Sequence, residues 1–163
     1  MNKIKIYTDG AASGNPGPGG YGAILEYKNH VKELSGAFRL TTNNRMELLA
    51  AIIALESITD KGLDVILFSD SKYVVEAINQ KWVFNWENKG YKKKKNPDLW
   101  RRFLKVYRNY SQTIEFKWVK GHAGHAQNER CDELAVNAYK NQEVQIDKEY
   151  ELLKNNEKGL FPS

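Results

Sequence analysis

The feature that most constrains the fold of this chain is an alternating segment near its start that ends at an aspartate. Residues 3–8 read KIKIYT, so Ile4 and Ile6 lie on one side of the segment, with the period of two that is typical of a β-strand. The strand ends at Asp9, which Gly10 follows. In an open α/β sheet, ligands bind beyond the carboxyl ends of the strands. We therefore expect a functional site to form around Asp9.

A second apolar run also ends at an aspartate. Residues 64–70 read DVILFSD, which is typical of a central strand buried on both faces. A helix before this strand and a right-handed crossover make it parallel to a neighbouring strand, most simply the first. Because neighbouring strands lie about 4.8 Å apart, we expect Asp9 and Asp70 to end side by side. Two adjacent carboxylates repel each other unless a cation or a proton lies between them.

The segments between these two strands predict one half of the sheet. Residues 21–27 and 31–40 have the pattern of strands, so the first three strands are expected to form an antiparallel meander. Residues 17–22 satisfy the G-x-G-x-x-G pattern of dinucleotide-binding proteins, but a strand begins where that fingerprint needs a helix. We interpret residues 11–20 as a turn whose backbone amides, together with Asn15, can approach a substrate.

Residues 41–56 predict a helix with a recognisable start. Asn44 is expected to be the N-cap, and Glu47, three residues later, to reach back to it as in a capping box. Beyond Glu47 the helix is apolar on most sides, which predicts deep packing. A carboxylate in the first turn of a buried helix is also a functional candidate. Both interpretations of Glu47 stay open at this point.

The last third of the chain predicts one more strand and one more helix. Residues 113–119 alternate as a fifth strand, and a glycine-containing loop leads from it to a helix at about 129–139. Asp132 lies in the first turns of that helix, where the positive end of the helix dipole tolerates an acid. The two histidines of the loop and the single cysteine of the chain are weak evidence for zinc.

The net charge of +5 is distributed unevenly along the chain. Residues 81–108 contain ten Lys or Arg against two acidic residues, a balance of +8, so the rest of the chain carries −3. Either a solvated helical face or a contact with a polyanion explains such a segment. Trp82 and Trp86 either pack or contact a sugar or base face, whereas the spacing of Trp100 and Phe103 predicts packing. We interpret this segment as a helical protrusion.

Length and composition favour one compact domain. A chain of 163 residues is long enough to bury a core without metal or disulfide support. The single cysteine, Cys131, excludes an internal disulfide, and no apolar stretch is long enough for a signal peptide or a membrane span. We therefore expect a cytoplasmic monomer. Residues 141–163 are polar and receive no role. The apolar residues of this tail that are candidates for packing against the body are Leu152, Leu153, Leu160 and Phe161.

Four acidic residues that each have an ordinary explanation share one predicted edge of the sheet. Asp9 and Asp70 lie at strand ends, and Glu47 and Asp132 lie near helix starts. Clusters of oxygen ligands suit Mg²⁺ or Mn²⁺ rather than zinc. Two such ions about 3.5 to 4 Å apart stabilise both oxygens of an in-line phosphoryl displacement. With a basic protrusion to hold a phosphate backbone, the sequence predicts a metal-dependent phosphodiester hydrolase.

Five motifs, in the same order, resemble ribonuclease H of type 1 in its bacterial form. They are TDG at 8–10, GNPGPGGYG at 14–22, TTNNRMEL at 41–48, SDS at 69–71, and the segment from GHAGH at 121 to NERCDELA ending at 135. The resemblance runs from Ile4 to about Ala138. It implies an α/β, ribonuclease H-like fold with a five-stranded mixed sheet, three antiparallel strands and then parallel strands, and helices on both faces. Residues 1–140 would form this domain, with a basic helical handle at about 81–102 and a C-terminal extension at 141–163.

The resemblance also implies an activity and a set of site residues. The activity is endonucleolytic cleavage of the RNA strand of RNA/DNA hybrids by a two-metal-ion mechanism. Cleavage would be independent of sequence and would give 5′-phosphate and 3′-hydroxyl ends. Its expected role is the removal of RNA primers and R-loops. Asp9, Glu47, Asp70 and Asp132 match the carboxylates that bind Mg²⁺, for which Mn²⁺ can substitute, and His122 matches the catalytic histidine. The positions expected to contact the hybrid are Asn15, Thr42, Asn43, Asn44, Lys81, Trp82, Trp86, Lys89, Lys92, Lys93, Lys94 and Lys95.

Three rival interpretations make different demands on the sequence. A binding module without catalysis predicts that a carboxylate or the loop histidine is missing, and none is missing. A nucleotide-binding oxidoreductase needs the glycine loop to open a helix, which it does not. A transposase or resolvase core would place acids similarly, but would lack the His122 loop and the handle.

Overall fold

The computed structural model describes residues 3–110, 113–121 and 126–159 of the chain. The strands are β1 (Lys3–Ala12), β2 (Gly17–Tyr27), β3 (His30–Thr41), β4 (Asp64–Ser69) and β5 (Ile114–Trp118). The helices are α1 (Asn43–Glu56), α2 (Lys72–Asn79), α3 (Trp82–Asn88), α4 (Pro97–Arg108), α5 (Ala126–Asn141) and α6 (Lys148–Gly159). None of the described helices is long and apolar enough to cross a membrane.

The five strands form one mixed sheet in the order β3-β2-β1-β4-β5. β2 is antiparallel to both β1 and β3, whereas β4 is parallel to both β1 and β5. The predicted mixed sheet and the parallel pairing of β1 with β4 are therefore confirmed. The turn predicted at 11–20 is shorter than expected, because the pairing of β1 with β2 continues as far as Ala12 and Gly19.

Helices cover both faces of the sheet, and successive side chains along a strand pack on opposite faces. Ile6 belongs to the large core that α1, α2 and α4 cover, whereas the next residue, Tyr7, packs with Ile24 and Cys131 under α5. The alternation arises because side chains of a strand point to opposite faces with a period of two. The central strands are thus buried on both sides, and their carboxyl ends emerge at one edge between the two helical layers.

The N-cap of helix α1 lies two residues earlier than the sequence predicted. Its N-cap is Thr42, whose Oγ1 accepts a hydrogen bond from the Arg45 amide at 3.2 Å, and Asn44 lies within the first turn. The prediction of Asn44 as N-cap with Glu47 in a capping box is therefore wrong. The hydroxyl of Thr42 already occupies the capping position, so Glu47 is free to point into the sheet edge. The predicted deep packing is confirmed, since Leu48, Ile52 and Leu55 are fully buried.

The basic segment forms two helices joined by a loop whose lysines are exposed. We use the name handle for residues 81–102 and handle loop for residues 89–96, which connect α3 to α4. The packing predicted for α4 is confirmed, because Trp100, Phe103 and Leu104 are buried. Trp100 donates a hydrogen bond from its indole Nε1 to the Tyr73 hydroxyl of α2 at 2.8 Å. The base of the handle is therefore fixed to the body of the molecule.

The C-terminal segment returns to the body of the protein. Gln145 forms an isolated parallel bridge with Phe38 at the edge strand β3, and α6 follows it. The expectation that Leu152 and Leu153 pack against the body is wrong, because they are 55% and 46% exposed. Leu160 and Phe161 lie outside the described residues. Among the side chains described between residues 141 and 155, Asp147 and Tyr150 are buried, rather than the leucines.

Candidate active site

The carboxyl ends of β1 and β4 place two aspartates next to each other. Thr8 pairs with Ser69 in the last registered position of the parallel ladder. Asp9 and Asp70 are the residues that follow, so they leave the sheet side by side as the sequence predicted. Asp9 Oδ1 accepts a hydrogen bond from the amide of Gly10 at 2.9 Å, which orients that carboxylate.

Glu47 reaches the same point from the first turn of α1. The helix lies directly on the end of β1, so closely that a Cβ at Gly10 would overlap the backbone of Met46 and Glu47. Only glycine permits this approach, because any side chain at position 10 would push the helix away. The sequence TDG therefore supplies both a carboxylate and the space that brings Glu47 to it.

Asp9, Glu47 and Asp70 form a three-carboxylate cluster that we name the acid edge. One carboxylate oxygen from each lies within 4.8 Å of the other two. Glu47 Oε2 is buried and has no hydrogen-bond partner within the described part of the chain. A buried carboxylate oxygen without a partner is costly unless a ligand satisfies it. Because all the potential metal-ligand atoms are carboxylate oxygens, the residues fit a hard divalent cation such as Mg²⁺.

Burial and mutual repulsion disfavour the ionised state of the acid edge. Burial, together with the charge of the nearby Asp70, raises the pKa of Asp9 to about 7. Burial and the neighbouring Asp9 carboxylate raise the pKa of Glu47 well above its ordinary value. Carboxylates behave in this way when they lack a compensating positive charge. A bound cation would reverse both effects, so the electrostatics of the site fit the same ligand class as its donor atoms.

Asp132 lies beside the acid edge rather than within it. It lines the same open cavity as Asp9, Glu47 and Asp70, and its negative charge contributes to the raised pKa of Asp9. It does not belong to the group of ligand atoms within 4.8 Å. The helix was expected to begin at about residue 129, but α5 begins at Ala126, so Asp132 lies in its second turn.

The catalytic histidine predicted in the loop before α5, His122, lies outside the described residues, and so does His125. The residue before this loop is described. A Cβ at Gly121 would lie 2.8 Å from Asp70 Oδ2, so the chain passes very close to the acid edge as it enters the loop. The loop therefore begins next to the carboxylates.

One open cavity lies at the acid edge and another at the handle, and because they share Asn44 and Tyr73 we name them together the groove. Asn44 lines the cavity at the acid edge and also the one beside Trp82 and Trp86. Trp82 is 42% exposed, whereas Trp86 packs edge-on against Trp100 with the Lys94 ammonium 5.2 Å from its ring centre. The predicted lysine contacts, all of them exposed, are Lys81, Lys89, Lys92, Lys93, Lys94 and Lys95.

Some of the predicted contact residues also hold the groove together. Asn15 Oδ1 accepts a hydrogen bond from the Asn43 amide at 3.2 Å, and Asn43 Oδ1 accepts one from the Ala12 amide at 2.6 Å. These two bonds tie the turn between β1 and β2 to the start of α1. The side-chain amide nitrogens of Asn15 and Asn43 are left as the groups with which these residues can contact a substrate.

Sequence reasoning missed Arg45 and Tyr73. Arg45 is 1% exposed and joins α1 to the handle and to the C-terminal segment through ion pairs. Its position was a usable signal, because it lies on the same helical face as Leu49 and Ile52, where a charged residue must be paired. Tyr73 accepts hydrogen bonds from Asn96 Nδ2 and Trp100 Nε1 and lines both cavities of the groove.

Comparisons with known proteins agree with this geometry. The chain matches the family model described as RNase H over residues 1–140. It is 53% identical over 154 residues to ribonuclease H of Rippkaea orientalis, covering 91% of this chain and 93% of the relative. LC9-RNase H1, a type 1 RNase H with the type 2 active-site motif, superposes with a TM-score of 0.76 and 34% identity, covering 88% of this chain and 74% of that one. LC11-RNase H1, solved in complex with an RNA/DNA hybrid, gives a TM-score of 0.63 at 29% identity, covering 83% and 96%.

A mixed five-stranded sheet with a carboxylate cluster at the ends of two parallel strands defines a class of metal-dependent nucleases. Within that class, the family is identified by the match to the family model over residues 1–140 and by the 53% identity to a curated relative. The chain belongs to the type 1 ribonuclease H family, the endoribonucleases that cleave the RNA of RNA/DNA hybrids.

Proposed function

We propose that this chain hydrolyses the RNA strand of RNA/DNA hybrids internally at the acid edge. The observation that carries the proposal is the approach of three carboxylate oxygens to within 4.8 Å of one another at the ends of β1 and β4. In the reaction, water attacks phosphorus and the bond from phosphorus to the 3′ oxygen breaks. The products therefore carry 5′-phosphate and 3′-hydroxyl ends.

Asp9, Glu47 and Asp70, with Asp132 at the rim, are the residues that would hold the metal, which we propose to be two Mg²⁺ ions with Mn²⁺ as a substitute. The unsatisfied Glu47 Oε2 supports this assignment. When bound, such ions stabilise negative charge on both the attacking and the leaving oxygen. The residues themselves orient the ligand oxygens, since the Gly10 amide fixes Asp9 and the close packing of α1 fixes Glu47.

We assign proton transfer and product release to His122, by resemblance to the family. Choice of strand would come from hydrogen bonds to the 2′-hydroxyl groups near the scissile phosphate, because this group distinguishes the backbone of RNA from that of DNA. The polar side chains of Asn15, Asn43 and Asn44 are the candidates, since Asn43 and Asn44 line the cavity at the acid edge and Asn15 is hydrogen-bonded to Asn43. No residue of the groove needs to read a base, so we expect sequence-independent cleavage.

The handle would hold the hybrid by its phosphates. Its lysines are exposed, and Trp82 offers an open ring face for stacking on the DNA strand. If about six phosphates are engaged, the logarithm of affinity should fall with the logarithm of salt concentration at a slope of roughly −5. We expect removal of one of these lysines to reduce that slope by about one.

The remaining parts of the proposal concern the setting of the reaction. We propose a monomer, because one chain supplies the carboxylates, the groove and the handle. We place the activity in the cytoplasm, where RNA paired with DNA arises during replication and transcription. Primer removal and clearance of R-loops are the processes that such an activity would serve.

The test uses an RNA strand labelled at its 5′ end and annealed to DNA. The wild-type chain is incubated with Mg²⁺ or with chelator, and beside it the variants Asp70→Asn and Asp64→Asn. Asp64 is a matched control because it is the first residue of β4, whereas Asp70 directly follows the last. The two aspartates therefore lie at opposite ends of the same strand. We expect internal cuts that need Mg²⁺, a rate that falls about a thousandfold in Asp70→Asn, and wild-type activity in Asp64→Asn.

Single-stranded RNA and an RNA/RNA duplex should remain intact under the same conditions. Binding of the hybrid without cleavage in either Mg²⁺ or Mn²⁺ would contradict the proposal and favour a binding module. Equal loss of activity in Asp64→Asn and Asp70→Asn would show that the acid edge has no special function.

A further inference from the structure

Arg45 is a buried cation that joins three parts of the chain which are distant in sequence. It lies in the first turn of α1, between Asn44 of the groove and Glu47 of the acid edge. Its side chain is 1% exposed and pairs with Asp98 at the start of α4 and with Asp147 just before α6. We name Arg45, Asn96, Asp98 and Asp147 the arginine cluster.

The hydrogen bonds of the arginine cluster satisfy the whole guanidinium group. Arg45 Nε donates to Asp147 Oδ2 at 2.8 Å, and Nη2 donates to Asp147 Oδ1 at 2.8 Å and to Asp98 Oδ2 at 2.7 Å. Nη1 donates to Asp98 Oδ1 at 3.0 Å and to Asn96 Oδ1 at 3.2 Å. A guanidinium has five N–H donors. All five are therefore used, and two of them end on Asp147.

Asp147 is the contribution of the C-terminal segment to this cluster. It lies beyond residues 1–140, the part of the chain that the family model matches. Its Oδ2 also accepts a hydrogen bond from Thr41 Oγ1 at 3.1 Å. Tyr150, in the first turn of α6, places its ring centre 5.3 Å from the Arg45 guanidinium carbon. Without Asp147, two buried N–H groups of Arg45 would have no partner, which is costly.

The handle loop depends on contacts of this kind. Lys93 and Asn96 have positive φ angles of 61° and 63°, a conformation that residues other than glycine adopt at a cost. Such a backbone persists where surrounding contacts hold it. The contacts at the end of the loop are the bonds of Asn96 to Arg45 Nη1 and to the Tyr73 hydroxyl.

The same three parts of the chain line a further cavity of about 370 Å³. Asn15 and Thr42 form the side next to the start of α1, Lys94 and Lys95 form the handle side, and Tyr150 belongs to α6. The arginine cluster lies at the point where these three sides meet, since Arg45 also lines this cavity. Loss of its order would change the distance between the handle lysines and the residues beside the acid edge.

We infer that Asp147, acting through Arg45, is a positioning residue for substrate binding. It fixes the handle loop relative to the first turn of α1, so that the handle lysines and the acid edge engage one hybrid together. The C-terminal segment is thereby part of the machinery that binds substrate, although it contributes no group to the reaction. This inference rests on the proposed cleavage of hybrids with the handle as the phosphate contact.

The test compares two variants that each weaken or break one attachment of the C-terminal segment. Asp147→Asn weakens the attachment to the arginine cluster, because it removes the negative charge and replaces one of the two oxygens that accept from Arg45 with an NH2 donor. Arg39→Gln breaks the ion pair of Arg39 with Glu151, an exposed attachment of α6 to β3. For Asp147→Asn we expect KM for the hybrid to rise about five- to tenfold with kcat within about twofold. The salt slope of affinity should fall by about two, because fewer handle lysines reach the phosphates. Arg39→Gln should leave KM and the salt slope at wild-type values.

Loss of stability must be separated from loss of position. All rates are measured at a temperature where thermal unfolding curves show that each variant is folded. Ile4→Ala is included as a control for lost stability. Ile4 is buried at the opposite end of β1 from Asp9, so its truncation lowers stability without touching the arginine cluster. Tyr150→Leu serves as a milder second variant, because it removes only the ring that faces Arg45. We expect it to raise KM about twofold.

Each outcome decides the matter. A rise in KM and a reduced salt slope in Asp147→Asn, absent from Arg39→Gln and Ile4→Ala, would support the inference. Wild-type KM and slope in folded Asp147→Asn, or equal rises in all the variants, would overturn it and leave a purely structural ion pair. If the wild-type chain itself does not cleave hybrids, the proposed function fails first, which is a different result from failure in the variants alone.

Discussion

Two clusters of buried charge lie within one turn of the same helix and have opposite electrostatic character. Arg45 and Glu47 are two residues apart in α1, so they project in different directions. Arg45 enters a cluster in which two carboxylates and an amide oxygen satisfy every donor. Glu47 enters a cluster of carboxylates, with one oxygen that no described residue satisfies.

The pKa values express the same difference. Burial on its own lowers the pKa of Arg45, but the hydrogen bonds with Asp98 and Asp147 raise it above its ordinary value, so the charged form is favoured. Burial raises the pKa of Glu47, so its charged form is disfavoured. In the arginine cluster the buried cation has partners of opposite charge within the chain, whereas a cluster of carboxylates alone is suited to a cation from outside. The comparison shows how one helical turn can serve both purposes.

The largest expected effect comes from neutralising the two charges separately. Arg45→Gln should destabilise the protein by about 3 to 5 kcal/mol, because it leaves two carboxylates without a buried partner. Glu47→Gln, measured without metal near pH 8, should instead stabilise it by about 1 kcal/mol, because it removes a buried repulsion. Urea unfolding curves measure both free energies.

The surface pair of Arg130 and Glu33 supplies a control for this contrast. Arg130→Gln breaks an exposed ion pair and should change the free energy of unfolding by less than about 0.5 kcal/mol. Destabilisation of similar size by Glu47→Gln and Arg45→Gln would contradict the distinction between the two clusters.

The pH dependence of stability should sharpen the contrast at the acid edge. The pKa of Asp9 is about 7 in the folded protein and about 3.9 in an unfolded chain. A raised folded-state pKa means that protonated Asp9 stabilises the fold below about pH 4, and that this contribution is lost as pH rises towards 7. In chelator, the stability of Asp9→Asn relative to wild type should therefore increase by about 4 kcal/mol between pH 4 and pH 8.

Added Mg²⁺ provides the internal check on that prediction. At pH 8 it should stabilise the wild-type chain by binding to the folded state, and it should stabilise Asp9→Asn less. A difference between wild type and Asp9→Asn that stays constant with pH would mean that Asp9 is already ionised in the folded protein without a cation.

The smallest expected effect concerns the handle loop, which the arginine cluster holds at one end. Lys93 has a φ angle of 61° and is exposed, so Lys93→Gly should relieve backbone strain and stabilise the protein by about 0.5 to 1 kcal/mol. Lys95 is exposed without a positive φ angle, so Lys95→Gly should be neutral or destabilising by a similar amount. Thermal unfolding measures both. Stabilisation by Lys95→Gly as well would show that charge repulsion rather than strain is being relieved.

Much of the acid edge was predictable because its causes are local. The alternation that ends at Asp9, the apolar run that ends before Asp70, and the parallel pairing of the two strands follow from short stretches of sequence and from the handedness of crossovers. The position of Glu47 was predicted as a candidate, but its proposed capping function was wrong, since Thr42 supplies the cap. The N-cap lies two residues earlier than predicted, which is the kind of detail that neighbouring contacts decide.

The sequence by itself determined the meander of the first three strands, the parallel pairing of β1 with β4, the edge at which the carboxylates emerge and the basic character of the handle, because these follow from periodicity, crossover handedness and charge along the chain. Only the tertiary structure decided that Asp147 contacts Arg45 across 102 positions, that Asp132 lies at the rim rather than within the acid edge, and that Leu152 and Leu153 face solvent. The physical reason is that pairing between distant segments depends on how whole elements pack, and a buried charge accepts whichever partner that packing brings within hydrogen-bond distance.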